Sequence, residues 1–91
     1  MSSSKNILFT PQAFEDFVSW GSENRKIFLK IADLIEEVRR NPFEGKGKPE
    51  ALKHDYKGMW SRRITDEHRM IYKPTADVIE FYSFKDHYGD R

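Results

Sequence analysis

The chain has 91 residues, 37% of them apolar, no cysteine and a net charge of +1. That is enough for one compact domain and too little for two separate cores. Without cysteine there is no disulfide framework and no thiolate metal centre, and no apolar run approaches the roughly 18 residues that span a bilayer, so a cytoplasmic protein without membrane contacts is expected.

Met1-Ser2-Ser3-Ser4-Lys5 lacks the apolar core of a secretory signal and reads as a disordered or tag-like tail, leaving residues 6–91 as a single domain. Asn6-Ile7-Leu8-Phe9 is a short apolar run ended by Thr10-Pro11. It predicts a first strand followed by a helix capped by Thr10, with Pro11 at the first helical position. In that helix Phe14, Phe17 and Val18 form the apolar stripe, Glu15 and Asp16 face away, and Gly21-Ser22 ends it. A second helix follows from Ile27, Ile31, Leu34, Ile35 and Val38, with Glu36 and Arg40 spaced for an ion pair and Asn41-Pro42 as the stop. The two helices are expected to form an antiparallel hairpin.

From Phe43 to Pro49 the composition turns to Gly, Lys and Pro, which predicts a sharply bent loop. Beyond it, Met59–Thr65, His68–Lys73 and Asp77–Lys85 are β-rich segments with short polar connections, expected to pair as an antiparallel meander. Early helices and late strands together give an α+β fold in which the first strand and the helical hairpin pack on a small, mainly antiparallel sheet. Alternation puts Trp60, Arg62 and Ile64 on one face and Arg63 on the other. Arg62 itself is expected at the surface or facing a partner, His68 is expected to be structural, and Trp60, Phe81, Tyr82 and Phe84 to be core or sheet-face residues.

The net charge conceals a division. From Arg39 to Lys73 ten lysines and arginines face five acidic residues, a local +5, while the rest carries six against ten, or −4. A basic middle between acidic flanks suits a polyanion, but a solvated face of mixed charges has the same composition, so residue types must decide. Three scattered histidines without cysteine or a paired helical spacing predict no metal first shell. Gly45-Lys46-Gly47-Lys48 is too short for a nucleotide-hydrolase phosphate loop, and no glycine-flanked nucleophile elbow is present. A carboxylate, imidazoles and guanidinium groups remain. They suffice for metal-free RNA cleavage, in which the substrate's own 2′-hydroxyl attacks and the protein moves protons and neutralises charge. Glu50 and His87 are the available base and acid.

The run Pro42-Phe43-Glu44-Gly45-Lys46-Gly47-Lys48-Pro49-Glu50, continued by Leu52-Lys53-His54, Trp60-Ser61-Arg62-Arg63-Ile64-Thr65, Glu67-His68-Arg69 and His87-Tyr88, closely resembles the YoeB toxins of the RelE-like toxin–antitoxin systems. The resemblance spans about residues 6–88 and implies a microbial-ribonuclease-like fold of RelE type. The implied activity is cleavage of mRNA in the ribosomal A site, which inhibits translation, with no cofactor and no metal. Motif position makes Glu50 the general base, His87 the general acid, Arg69 the phosphate-stabilising cation and Arg63 a second one. It makes Lys53 and His54 RNA-binding residues and gives Tyr88 a base-stacking or positioning role, while Lys46 and Lys48 are expected to bind RNA as cations of the basic glycine-lysine stretch. The implied partners are mRNA and the ribosome, a YefM-like antitoxin whose disordered C-terminal segment folds over the toxin, and operator DNA only through the antitoxin complex. A monomer, a homodimer and a mixed complex all remain open. Gly89-Asp90-Arg91 extends beyond the usual family ending.

Two readings compete with these roles. Arg69 could pair with Asp66 or Glu67 across a turn, and the basic surface could belong to a non-catalytic module that blocks translation by occupying RNA or the ribosome.

Overall fold

A computed structural model describes residues 5–87 of the chain. β1 (Asn6–Phe9) opens the fold and leads through Thr10 into α1 (Pro11–Glu23). The Thr10 hydroxyl accepts the Ala13 amide at 3.1 Å, and Pro11 occupies the first turn, where its missing N–H costs nothing. Gly21 and Ser22 do not end this helix. It runs on to Asn24, whose backbone N–H closes α1 on the Trp20 carbonyl at 2.9 Å while its side chain accepts the Ile27 amide at 3.1 Å and starts α2 (Arg25–Arg40). One asparagine thus ends one helix and begins the next, which makes the hairpin turn a single residue. Asn24→Ala is expected to cost about 1 kcal/mol, read as a lowered urea midpoint with an unchanged slope.

The periodicity placed α2 correctly: Ile31, Leu34, Ile35 and Val38 are buried. Its surface ion pair joins Glu36 to Arg39 at 2.9 Å and not to Arg40. The stripe on α1 is rotated from expectation. Phe14 and Val18 are exposed, and the buried face is Ala13, Asp16 and Trp20 with Phe17 packed beside them. Asp16 turns inward because its carboxylate accepts the Phe84 amide at 2.9 Å and a Gln12 side-chain N–H at 2.9 Å. A buried carboxylate with two donors is tolerated where an unpaired one is not.

The sheet holds five strands in the order β1-β5-β4-β3-β2, with β2 (Glu50–Ala51), β3 (Trp60–Arg63), β4 (His68–Pro74) and β5 (Val78–His87). β1 runs parallel to β5, and the other pairings are antiparallel. A short 3₁₀ turn (His54–Tyr56) lies between β2 and β3. Between Arg69 and Tyr72 the register slips twice, and β5 supplies the additional residues each time. Such bulges bend a strand and free backbone groups from the ladder. Here the Phe84 N–H goes to Asp16, and the Phe84 carbonyl accepts the Trp20 indole N–H at 2.8 Å. The core lies between this sheet and the helices and includes Ile31, Val38, Met70, Tyr72, Phe81 and Phe84. Among the described residues no helix is long and apolar enough to cross a membrane.

Candidate functional site

The segment 41–49 is irregular but tightly fastened. Gly45 has φ +119° and Gly47 φ +83°, in the left-handed region that side chains disfavour. A Cβ would be crowded at both: at Gly45 it would lie 2.8 Å from the movable end of the Glu37 side chain, and at Gly47 3.0 Å from the Arg63 backbone carbonyl. The close approach at Gly47 lets its carbonyl accept the Arg63 amide at 2.7 Å, and the Lys46 amide donates to Glu37 at 3.0 Å. Gly47→Ala is expected to lower stability by about 1–3 kcal/mol through strain and contact together, measured by chemical denaturation.

The main anchor of this loop is Arg62. Sequence reasoning placed it at the surface; the structure buries it completely. Its guanidinium donates to the carbonyls of Lys46 at 3.0 Å, Glu44 at 2.8 Å and Asn41, and its Nε donates to the Tyr72 hydroxyl at 3.1 Å. Glu37 stands 3.7 Å from the same group. The Tyr72 hydroxyl in turn donates to the Pro42 carbonyl at 2.6 Å. Burial raises the phenol's pKa against the opposing pull of Arg62, which keeps it neutral and able to donate. The alternation along β3 did predict that Arg62 shares the face of Trp60; that this face is the core, and that loop carbonyls wait there, is a tertiary fact.

Directly opposed residues of an antiparallel pair share a face. Glu50 lies opposite Ser61, Ser61 opposite Ile71, Arg63 opposite Arg69, and Arg69 opposite Asp86. Glu50, Arg63 and Arg69 therefore lie on the face turned away from Met70, Tyr72 and the helices. Arg63 and Glu50 are exposed, while Arg69 is buried and its Nη1 donates to the carbonyls of Thr65, Asp66 and His68 at 2.9, 3.2 and 3.2 Å. The turn contacts foreseen for Arg69 thus involve backbone carbonyls. These acceptors hold the Arg69 guanidinium against the β3–β4 turn.

Lys46 and Lys48, both exposed, precede Glu50 on the same loop. On its other side an open cavity of about 430 Å³ is lined by residues 50–56 and so includes Lys53 and His54. Lys48 and His54 have φ of +51° and +57°. Two non-glycine residues in left-handed backbone on either side of Glu50 mark strain held in place by the fold.

His87 is not with this group. It lies opposite His68, which has the alternation of Met70 and Tyr72 and packs its ring edge-on to Trp20 at 5.1 Å. His87 is therefore on the helix-packed side at the far end of β5. Three strand spacings of about 4.8 Å separate β2 from β5, and three residues of roughly 3.3 Å separate the two register rows, so Glu50 and His87 stand well apart. Two histidines do meet, against the expectation from their spacing. The rings of His68 and His87 are 4.9 Å apart between centroids, with the Glu67 carboxylate close by. No pattern in the residue order signals this, because strand register makes the pair. Tyr88, Gly89, Asp90 and Arg91 and the serine tail lie outside the described residues.

The model of the YoeB-like toxin of bacterial type II toxin–antitoxin systems matches residues 9–88. The chain belongs to the YoeB family of toxins. Toxin YoeB of Escherichia coli (strain K12) is 44% identical over 82 residues, covering 90% of this chain and 98% of that protein. The YoeB dimer of Staphylococcus aureus superposes with a TM-score of 0.87 at 43% identity, over 93% of this chain and 99% of that one. The YoeB–YefM complex from the same organism gives 0.84 at 45% identity, over 92% and 98%. The α+β fold of RelE type expected for a YoeB toxin is thus the one observed.

Proposed function

We propose that this YoeB-family toxin is an endoribonuclease that cuts mRNA in the ribosomal A site and so stops translation. The observation that carries the reading is the placement of Glu50, Arg63 and Arg69 on the sheet face that the helices leave uncovered, with Lys46, Lys48, Lys53 and His54 at its margin. The lysines and His54 hold the RNA backbone, and Tyr88 stacks on or positions a base. Glu50 takes the proton of a 2′-hydroxyl. The freed oxygen attacks the adjacent phosphorus, Arg69 and Arg63 neutralise the crowded phosphate oxygens, and the P–O5′ bond breaks. His87 gives its proton to the departing 5′-oxygen, leaving a 2′,3′-cyclic phosphate and a 5′-hydroxyl. No cofactor or metal enters this chemistry. Because His87 lies across the sheet from Glu50, its role requires the end of β5 to turn over the sheet rim toward Arg69 when RNA and ribosome are bound.

The family supplies the partners in this reading. A YefM-like antitoxin, acidic where it meets Lys46, Lys48, Arg63 and Arg69, covers the same face, and operator DNA is bound only through that complex. The protein acts in the cytoplasm, without contact with membranes, and a homodimer is compatible with it. The separation of Glu50 from His87 favours one competing reading, a module that blocks the A site by occupancy alone.

End-mapping of mRNA from a translating extract separates the two. New ends confined to ribosome-covered codons, carrying cyclic phosphate, are expected. Inhibited translation on intact mRNA would establish occupancy and end the nuclease reading.

A further inference from the structure

We propose that Glu67, His68 and His87 form a surface site for a late first-row transition-metal cation, Zn²⁺ foremost, and that its occupation silences the toxin. The binding part stands on geometry alone; the silencing part rests on the role of His87 given above.

Each of the three residues offers one ligand atom, and these atoms lie within 4.8 Å of one another. The arrangement comes from the sheet. His68 and His87 are direct cross-strand partners, with ring centroids 4.9 Å apart and planes at 79°. Opposed strand residues hold their Cβ atoms about 4.5–5.5 Å apart, from which two imidazoles can converge on one point. Tetrahedral zinc with bonds near 2.1 Å needs donor atoms roughly 3.4 Å apart, so the widest pair of the cluster must close by up to about 1.4 Å. Glu67 and His87 are exposed and can make that movement.

His68 is the fixed member. Thr65 Oγ1 lies 3.2 Å from its Nδ1, and the Trp20 ring meets it edge-on at 5.1 Å. Nδ1 is thereby engaged by the hydroxyl, leaving Nε2 as the ligating nitrogen. This is the outer contact by which metal-binding histidines are commonly oriented. The same hydroxyl accepts the amides of Glu67 and His68 at 3.2 and 3.0 Å, so one threonine sets the backbone of two ligands.

The donor set selects the ion. Two imidazole nitrogens and one carboxylate suit zinc and its neighbours, whereas magnesium and calcium require mostly oxygen donors. Three protein ligands leave a fourth position for water. The consequence for the toxin is direct. A lone pair of the His87 ring then lies in a metal bond, and the ring is held against His68 on the helix-packed side. It can neither turn toward Arg69 nor deliver a proton to a 5′-oxygen.

The test uses the metal-stripped full chain. Calorimetric titration with Zn²⁺ is expected to give one site per chain, and Co²⁺ bound at the same site is expected to produce visible absorption bands of four-coordinate geometry. His68→Asn and Glu67→Gln each weaken binding about tenfold or more. Neither residue belongs to the proposed cleavage machinery, so both variants keep the parent's mRNA cleavage in the absence of zinc. Added zinc suppresses cleavage by the parent, a zinc-selective chelator restores it, and His68→Asn resists the suppression. Zinc binding unchanged in both variants, or no binding by the parent at 1:1 occupancy under millimolar Zn²⁺, overturns the site. A chain that binds zinc through these residues yet generates no RNA ends keeps the site and loses the nuclease reading.

Discussion

Glutamine in place of Glu50 is expected to reduce ribosome-dependent mRNA cleavage by about 10²- to 10⁴-fold, the usual worth of a positioned proton acceptor. The substitution keeps the size of the side chain and removes its negative charge, and with it the capacity to take a proton. Glu50 is exposed on the two-residue strand β2, and its backbone pairing with β3 does not depend on the carboxylate. Folding stability should therefore stay within roughly 0.5 kcal/mol of the parent. His87→Gln is expected to fall in the same range, and the double variant to lose little more than the worse single one, because groups serving one transition state are not additive. Occupancy makes the opposite forecast. Removing a negative charge from a basic surface should strengthen RNA binding and leave inhibition intact. Time courses of mRNA ends, run beside thermal melts of each variant, distinguish the cases. Parent-level cutting by the double variant would remove Glu50 and His87 from the chemistry together.

What the residue order revealed, and what it hid, follows from the range of the interactions involved. The Thr10–Pro11 helix start and α2 are set by contacts within a few residues, and both were legible; β1 was legible as an apolar run, although its pairing partner is the distant β5. The orientation of α1 was not. Phe14 and Val18 supply an apolar pattern as good as the one used, but Asp16 is drawn inward by a backbone N–H that the β5 bulge exposes sixty-eight residues later. The alternation of β3 put Arg63 outside correctly, yet the same alternation could not reveal that Arg62 meets three loop carbonyls inside. Glu50 was recognised through its motif; its face, shared with Arg63 and Arg69, required the register of β2, β3 and β4. His87 was recognised in the same way, and register set it against His68 and away from Glu50. Local patterns thus nominated the candidate residues, and long-range pairing decided their company.

Arg62→Ala is expected to destabilise the fold by about 3–5 kcal/mol, the cost typical of removing one member of a buried charged network. The guanidinium holds the carbonyls of Asn41, Glu44 and Lys46 and the Tyr72 hydroxyl simultaneously, with Glu37 beside it. Its loss leaves these acceptors without their donor in a place where water enters poorly, and leaves a cavity against Tyr72. Lysine should restore little, since a single ammonium cannot reproduce a planar fork addressed to acceptors in several directions. The damage should also be localised. The amides of Lys46, which donates to Glu37, and Arg63, which donates to Gly47, should exchange with deuterium faster before the rest of the sheet does. Urea denaturation gives the magnitude, and hydrogen exchange gives the location. A loop that stayed protected in Arg62→Ala would mean that Gly45, Gly47 and Glu37 define its shape without the arginine. A loop that loosened, in a chain still folded at low temperature, would displace Lys46 and Lys48 and shift the β2 strand that carries Glu50. RNA binding and cleavage should then decline together, although Arg62 reaches neither substrate nor solvent.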